Sequence, residues 1–280
     1  TQGSHVLFAL SKSLPQLQLP QRVGISESTI YRRIVMRGET VNAATFASDG
    51  QLPQWEQPDA LTLTIAKHPC GSMPVIQTPN WNDFVQLVRA LAHRGEPMQV
   101  AAGVHAQAVS GLIHWGLINQ FGRQTRARLI LLHEAPYGSV PACEVPGGMS
   151  NDQWLAASTT LRLEHELTHL ATKRLLGEMR LNLLDELIAD CMGMVKALGL
   201  FSAELFGRCL GIGVADGRWT TYTRELSELD ERRAVALVIA RSLELEQKLI
   251  EQPWLLKPDN AMLRLQWLTT QRLDEPIKVA

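Results

Sequence analysis

Apolar residues recur at two different periods along this chain, and the change of period divides it. Over residues 60–66 (ALTLTIA) apolar and polar side chains alternate, and a weaker alternation runs through Met73-Pro74-Val75-Ile76. Both predict strands. Residues 81–93 instead space Phe84, Leu87, Val88 and Leu91 three and four apart, which predicts an amphipathic helix packed on a sheet, with Asn80 as N-cap. Residues 104–120 read as a buried helix, and Arg128-Leu-Ile-Leu-Leu-His133 as the strongest strand, closed by Pro136-Tyr137-Gly138. From Asn151 onward helical periodicity dominates, over 154–176, 183–200, 223–250 and 260–273. Before residue 60, Pro15, Pro20, Gly24, Gly38, Gly50, Pro53 and Pro58 break the pattern, leaving an irregular region with one helix near 26–36.

The expected fold class is α+β: a mixed α/β first half with a small sheet, feeding a mainly α-helical second half. Residues 136–150 (PYGSVPACEVPGGMS) are the only tempting boundary, and no internal repeat or low-complexity tract is present. One domain over 1–280 is expected, with an α/β subdomain over 1–135 and a helical subdomain over 136–280.

Composition narrows the classes. The 280 residues, 45% of them hydrophobic, suffice to bury a core. With 27 basic and 28 acidic residues the formal charge is −1, so no whole-chain field draws nucleic acid or an anionic membrane. Cys70, Cys143, Cys191 and Cys209 form no C-x-x-C pair, which favours reduced, mostly buried thiols and a cytoplasmic location. No apolar run reaches transmembrane length and the N-terminus lacks a secretory cleavage pattern. The chain opens on Thr1 rather than Met, as expected of a piece of a longer precursor.

Candidate chemistry is concentrated in 164–190, EHELTHLATKRLLGEMRLNLLDELIAD. His165-Glu166-Leu167-Thr168-His169 fits H-E-x-x-H. On a helix, residues i and i+4 share a face, so two imidazoles can meet one ion. Glu166 is rotated by about 100° from His165, out of the ligand set but in place to take a proton from water held there. Imidazole nitrogens plus one carboxylate suit Zn²⁺. His169 is not followed by the further histidine of a metzincin, and no histidine occurs after it, so a third ligand downstream must be a carboxylate or cysteine. The first helix should end near Gly177, the loop 177–181 turns the chain back, and a second helix should start at Asn182 as N-cap. Glu186, one turn into that helix, is preferred as the third ligand over Asp185 and Asp190. Asp185 has a competing job in a capping box. Asp190, one turn further on, is placed to accept the free N–H of a ligand histidine. Both helices are otherwise so apolar that their charges should be partly buried, and buried charge needs a partner.

H-E-L-T-H followed by E-x-x-x-D resembles the gluzincin branch of zincin metallopeptidases. The resemblance implies a zincin-like fold, with His165, His169 and Glu186 binding zinc, Glu166 as general base and Asp190 supporting a ligand. Two features depart from the branch: the interval of seventeen from His169 to Glu186 is slightly short, and Arg162 is unusual upstream of the motif. A longer resemblance, over most of the chain, is to a group of uncharacterised bacterial proteins, through QRVGISESTIYRRIVMRGE, GLIHWGLI and the H-E-L-T-H segment.

The expected activity is zinc-dependent hydrolysis of a peptide or other amide bond. A small-molecule amide substrate, a tailoring metalloenzyme and a catalytically inert zinc protein remain as alternatives. For the group that stabilises the oxyanion, Arg218 and Tyr222 in GVADGRWTTY lead, with Tyr137 and His133 behind. His105 and His114 are expected to be hydrogen-bonded core residues on a helix. The strand at 128–133 could be the edge on which an extended peptide pairs. The rival class is a DNA-binding regulator, with Ser26 or Ser28 capping a recognition helix that presents Tyr31, Arg32 and Arg33, but prolines interrupt the segment before it and its surroundings are not basic. No nucleic-acid or membrane partner is expected, and oligomeric state is open.

Overall fold

A computed structural model describes residues 2–40, 52–69, 71–116, 119, 127–177, 182–215 and 217–280. The fold is α+β, mostly helical with one four-stranded sheet. The chain forms two compact units, Thr1–Glu134 and Ala135–Ala280. Among the described residues no helix is long and apolar enough to cross a membrane.

In the first unit the sheet has the order β1 (Thr62–His68), β2 (Gly71–Thr78), β4 (Ala127–His133), β3 (Ala106–Leu112). The β1–β2 and β3–β4 pairs are antiparallel, whereas β2 and β4 run parallel, with Val75 opposite Ile130 and Thr78 opposite His133. Helix α2 (Trp81–Leu91) is capped by Asn80, whose side chain accepts from the Asp83 amide. It buries Phe84, Leu87, Val88 and Leu91 in a cluster with Ile76, Val109, Leu129 and Leu131 of the sheet.

Strand β4 lies inside the sheet, hydrogen-bonded on both sides, so 128–133 is no free edge for a peptide. Its apolar run Leu129–Leu132 is compatible with that interior position.

Residues 106–112 form a strand instead of a helix, and His105 and His114 flank it. A register shift between Ser110 and Leu112, with Gly111 at φ +72°, turns both Val109 and Leu112 into the core. That bulge makes a strand imitate helical i, i+3 spacing. Residues 117, 118 and 120, also within the expected helix, lie outside the described set.

The N-terminal region contains helix α1 (Gln2–Ser13), which ends ahead of the first proline, Pro15. The expected helix near 26–36 is a series of turns over Ile25–Glu27, Thr29–Tyr31 and Arg32–Met36, with Ser28 capping Tyr31 N. Tyr31 is buried with Ile34 and Val35, so it does not face outward beside the exposed Arg32 and Arg33.

The second unit is helical: α3 (Asn151–Leu176), α4 (Leu183–Leu198), α5 (Ala203–Leu210), α6 (Thr220–Thr223), α7 (Glu228–Glu251) and α8 (Ala261–Thr269). A capping box of Ser150 and Gln153 starts α3, and Gly177 at φ +78° ends it. Of the expected turn at 177–181, residues 178–181 lie outside the described set. Ser227, not Thr223, starts α7, because its hydroxyl accepts from the Asp230 amide. Cys191 and Cys209 are buried free thiols and Cys143 is an exposed one, while Cys70 lies outside the described residues. Burial pushes the Cys191 thiol up to about 12, which leaves it inert.

Helices α3 and α4 pack along their lengths, and Gly193 sets how closely. A Cβ at Gly193 would lie 2.8 Å from the Leu161 carbonyl oxygen. Leu161 is one turn before His165 and Gly193 nearly one turn after Asp190, so this contact fixes the gap across which those two side chains meet. Gly193→Val should therefore cost about 1–3 kcal/mol by overpacking. Urea denaturation reads it, and a variant as stable as wild type would show that the helices separate there freely.

Candidate metal centre

Two consecutive turns of α3 aim His165 and His169 at α4. Their Nε2 atoms lie 2.9 Å apart, and the Glu186 carboxylate faces both, with Oε2 3.7 Å from His165 Nε2 and Oε1 3.3 Å from His169 Nε2. The other ring nitrogens are held from α4 as well. His165 Nδ1 is 2.7 Å from Asp190 Oδ1, and His169 Nδ1 is 3.0 Å from Asp185 Oδ2. An ionised carboxylate can only accept, so each Nδ1 carries a proton, and each Nε2 can bind an ion once free of any proton of its own.

This donor set fits a metal ion. His165, His169 and Glu186 form a group able to hold a cation. Bonds of about 2.0–2.1 Å in a tetrahedral site place ligand atoms about 3.3 Å apart, and the three distances above bracket that value. Two lone pairs at 2.9 Å repel unless a proton or cation lies between them. Charge agrees in sign: Asp185, Glu186 and Asp190 are buried carboxylates turned to this point, and a cation there would offset negative charge that Arg218 meets only from the Asp190 and Glu186 side.

A second layer holds these carboxylates in place. Arg218 donates from Nη2 to Asp190 Oδ2 at 2.5 Å and from Nη1 to the Tyr137 hydroxyl at 2.8 Å, and its Nε lies 3.5 Å from Glu186 Oε2. The Tyr137 hydroxyl donates to Asp190 Oδ1 and lies 3.0 Å from His165 Nδ1. Tyr222 is close enough to Glu186 to feel its charge.

Burial opposes ionisation of both Glu186 and Asp190. The two imidazoles and Arg218 outweigh it for Glu186, and Arg218 and His165 do so for Asp190, holding both below the usual carboxylate range. Burial likewise works against a charged His169, but Asp185 and Glu186 outweigh it and lift its pKa to about 10. Burial, together with the Glu186 charge, pushes the Tyr222 phenol up.

Local backbone explains the placement. A Cβ at Gly138, at φ +60°, would run into Cys209, so glycine lets the Tyr137 turn sit against α5. Gly211 and Gly217 touch backbone to backbone, with a Cβ at Gly211 only 2.7 Å from Gly217 Cα, and this closure directs Arg218 at α4. Arg162, the odd residue upstream of the motif, donates to the Ala135 and Pro136 carbonyls at 2.9 and 3.2 Å. Its guanidinium lies 5.5 Å from the centre of the Tyr137 ring and that of Arg218 lies 5.4 Å from it, so two cations grip one phenol.

The geometry thus gathers His165, His169, Glu186, Asp190, Tyr137, Arg218 and Tyr222. Glu166 is half-buried on the same helix, where its charge acts on His169 and Arg162. His133 is not in this group. It belongs to the sheet of the first unit, with its Nδ1 2.9 Å from His105 Nδ1 and Trp81 edge-on to both rings. The expected capping-box job of Asp185 is also corrected. Its amide donates to Asn182, but its carboxylate holds His169. The sequence carried that signal: two ligand imidazoles need two acceptors, and α4 supplies Asp185 and Asp190 on either side of Glu186.

The chain belongs to the family of unknown function DUF7005, which matches residues 1–128 and 122–277. No curated protein and no solved structure matches it.

Proposed function

For a member of that family we propose a zincin-like, gluzincin-type hydrolase, zinc-dependent and acting on peptide or other amide bonds. The observation that carries this reading is the convergence of His165 Nε2, His169 Nε2 and the Glu186 carboxylate, with each Nδ1 held by its own aspartate. Zinc suits such a set and, when bound, supplies a Lewis acid that lowers the pKa of a water to about 7. The Glu166 carboxylate accepts the proton of the attacking water and delivers it to the leaving nitrogen. Tyr137 and Arg218 are committed to Asp190 and His165, and so keep the ligands in register. Tyr222 is half-buried beside Glu186, and its hydroxyl donates to the substrate carbonyl oxygen as charge develops there.

Metal analysis tests the reading. Protein equilibrated with zinc at neutral pH and desalted should carry one equivalent, and chelation should lower its melting temperature. Less than about 0.1 equivalent would end the proposal.

A further inference from the structure

Away from the metal centre, helix α7 has an apolar side that its own unit leaves uncovered. Val238, Ser242, Leu245 and Leu249 are buried and pack the helix onto α4 and α5. Leu229, Ile239, Leu243 and Ile250 lie roughly 100–180° around the axis from Val238, at about 100° per residue. They are 55%, 39%, 55% and 66% exposed. A helix of one globular unit needs a single apolar stripe, so the second is unexplained by the fold.

Ile239 and Leu243 of that stripe are part of the floor of a trough. At one end its wall is Gly213 and Trp219, at the other Pro146, Ala203 and Gly207, and Ile212 and Ile239 line both ends, making it continuous. The α7 residues along it are Arg232 with Glu231 at its flank, Val235 with Ala236, Ile239, Ser242 with Leu243, and Glu246. Steps alternating between three and four residues describe a coiled-coil seam. The seam reads alike from both ends but with opposite charge: seven residues before Ile239 stands Arg232, and seven after it Glu246.

We infer that this trough is a self-association surface whose occupant is α7 of a second copy of this chain, laid antiparallel. Ile239 packs on its counterpart at the two-fold axis, and Arg232 of each copy faces Glu246 of the other, about 10 Å from the axis. A parallel pair would set Arg232 against Arg232 and Glu246 against Glu246, so the charges select the antiparallel form. In the wall Ala203 and Gly207 are small and Glu204 is held by Arg208 at 2.8 Å, which suits a helix at the usual 8–10 Å interaxial distance. Arg232 pairs at 3.1 Å with Glu228 within its own helix, but both side chains are largely exposed, and such a pair does not withhold the guanidinium from a partner.

Sedimentation equilibrium of the full chain, from about 1 to 100 μM, tests the inference. The wild type should be a reversible dimer and I239E a folded monomer by circular dichroism. R232E and E246R should each weaken the dimer at least about tenfold, and the double swap R232E/E246R should restore it. A wild-type chain still monomeric at about 100 μM overturns the proposal. So does a dimer indifferent to I239E, or a double swap as weak as its single parents.

Discussion

Glu166→Gln is expected to keep a full equivalent of zinc and to lose about 10²–10⁴-fold in amide hydrolysis. Glu166 follows His165 on α3 and is not one of the three grouped donors, so the amide leaves the ligand set intact. What disappears is a base that can accept and return a proton. The substitution is nearly isosteric at a half-buried position, so stability should change little. Metal content, the melting curve and turnover of a mixed quenched-fluorescent peptide library, measured on one preparation, separate the outcomes. Loss of zinc would mean that Glu166 is a ligand or that the helix is misread. Retained zinc with unchanged turnover would remove Glu166 from the chemistry.

The parts legible in the sequence were those fixed by local periodicity and caps. Helix α2 with Asn80, helix α3 up to Gly177 and the start of α4 at Asn182 all depend on residues within a few positions of one another. The i, i+4 pair His165 and His169 is of the same kind. Pairing partners were not legible. Strand β4 is apolar from Leu129 to Leu132, which fits an interior strand as well as an edge, and only its neighbours β2 and β3 decide. Strand β3 was read as a helix because the bulge at Gly111 gave it a helical interval. Tyr137 and Arg218 reach Asp190 from 53 and 28 residues away, through close backbone contacts at Gly138 and between Gly211 and Gly217. Such contacts have no periodic signature, so Tyr137 could be ranked only as a residue at a loop end. Asp185 went astray for a different reason. Its position is right for a capping box, and that local fit hides the need of two imidazoles for two acceptors, which the 3.0 Å approach of His169 Nδ1 makes plain.

The two neighbouring acids of α4 should separate sharply on substitution. Glu186→Ala removes an oxygen donor facing both Nε2 atoms, and it strips Arg218 Nε and the Tyr222 hydroxyl of the carboxylate they face. Zinc affinity should fall at least about 10³-fold, since two imidazoles alone leave the charge and coordination of the ion unmet. Asp185→Asn keeps an oxygen able to accept from His169 Nδ1, so the ring stays oriented while its basicity drops. A loss of about 10–100-fold is expected there. Competition against a chromogenic chelator at fixed pH measures both, with circular dichroism confirming that each variant is folded. Equal losses would mean that the ion sits between the two carboxylates rather than on Glu186. The reverse order would make Asp185 the ligand, and the hydrogen bond now drawn from His169 would have to break for it to reach the ion. The contrast therefore tests the ligand set independently of any activity, using groups adjacent on one helix that differ by 100° of rotation.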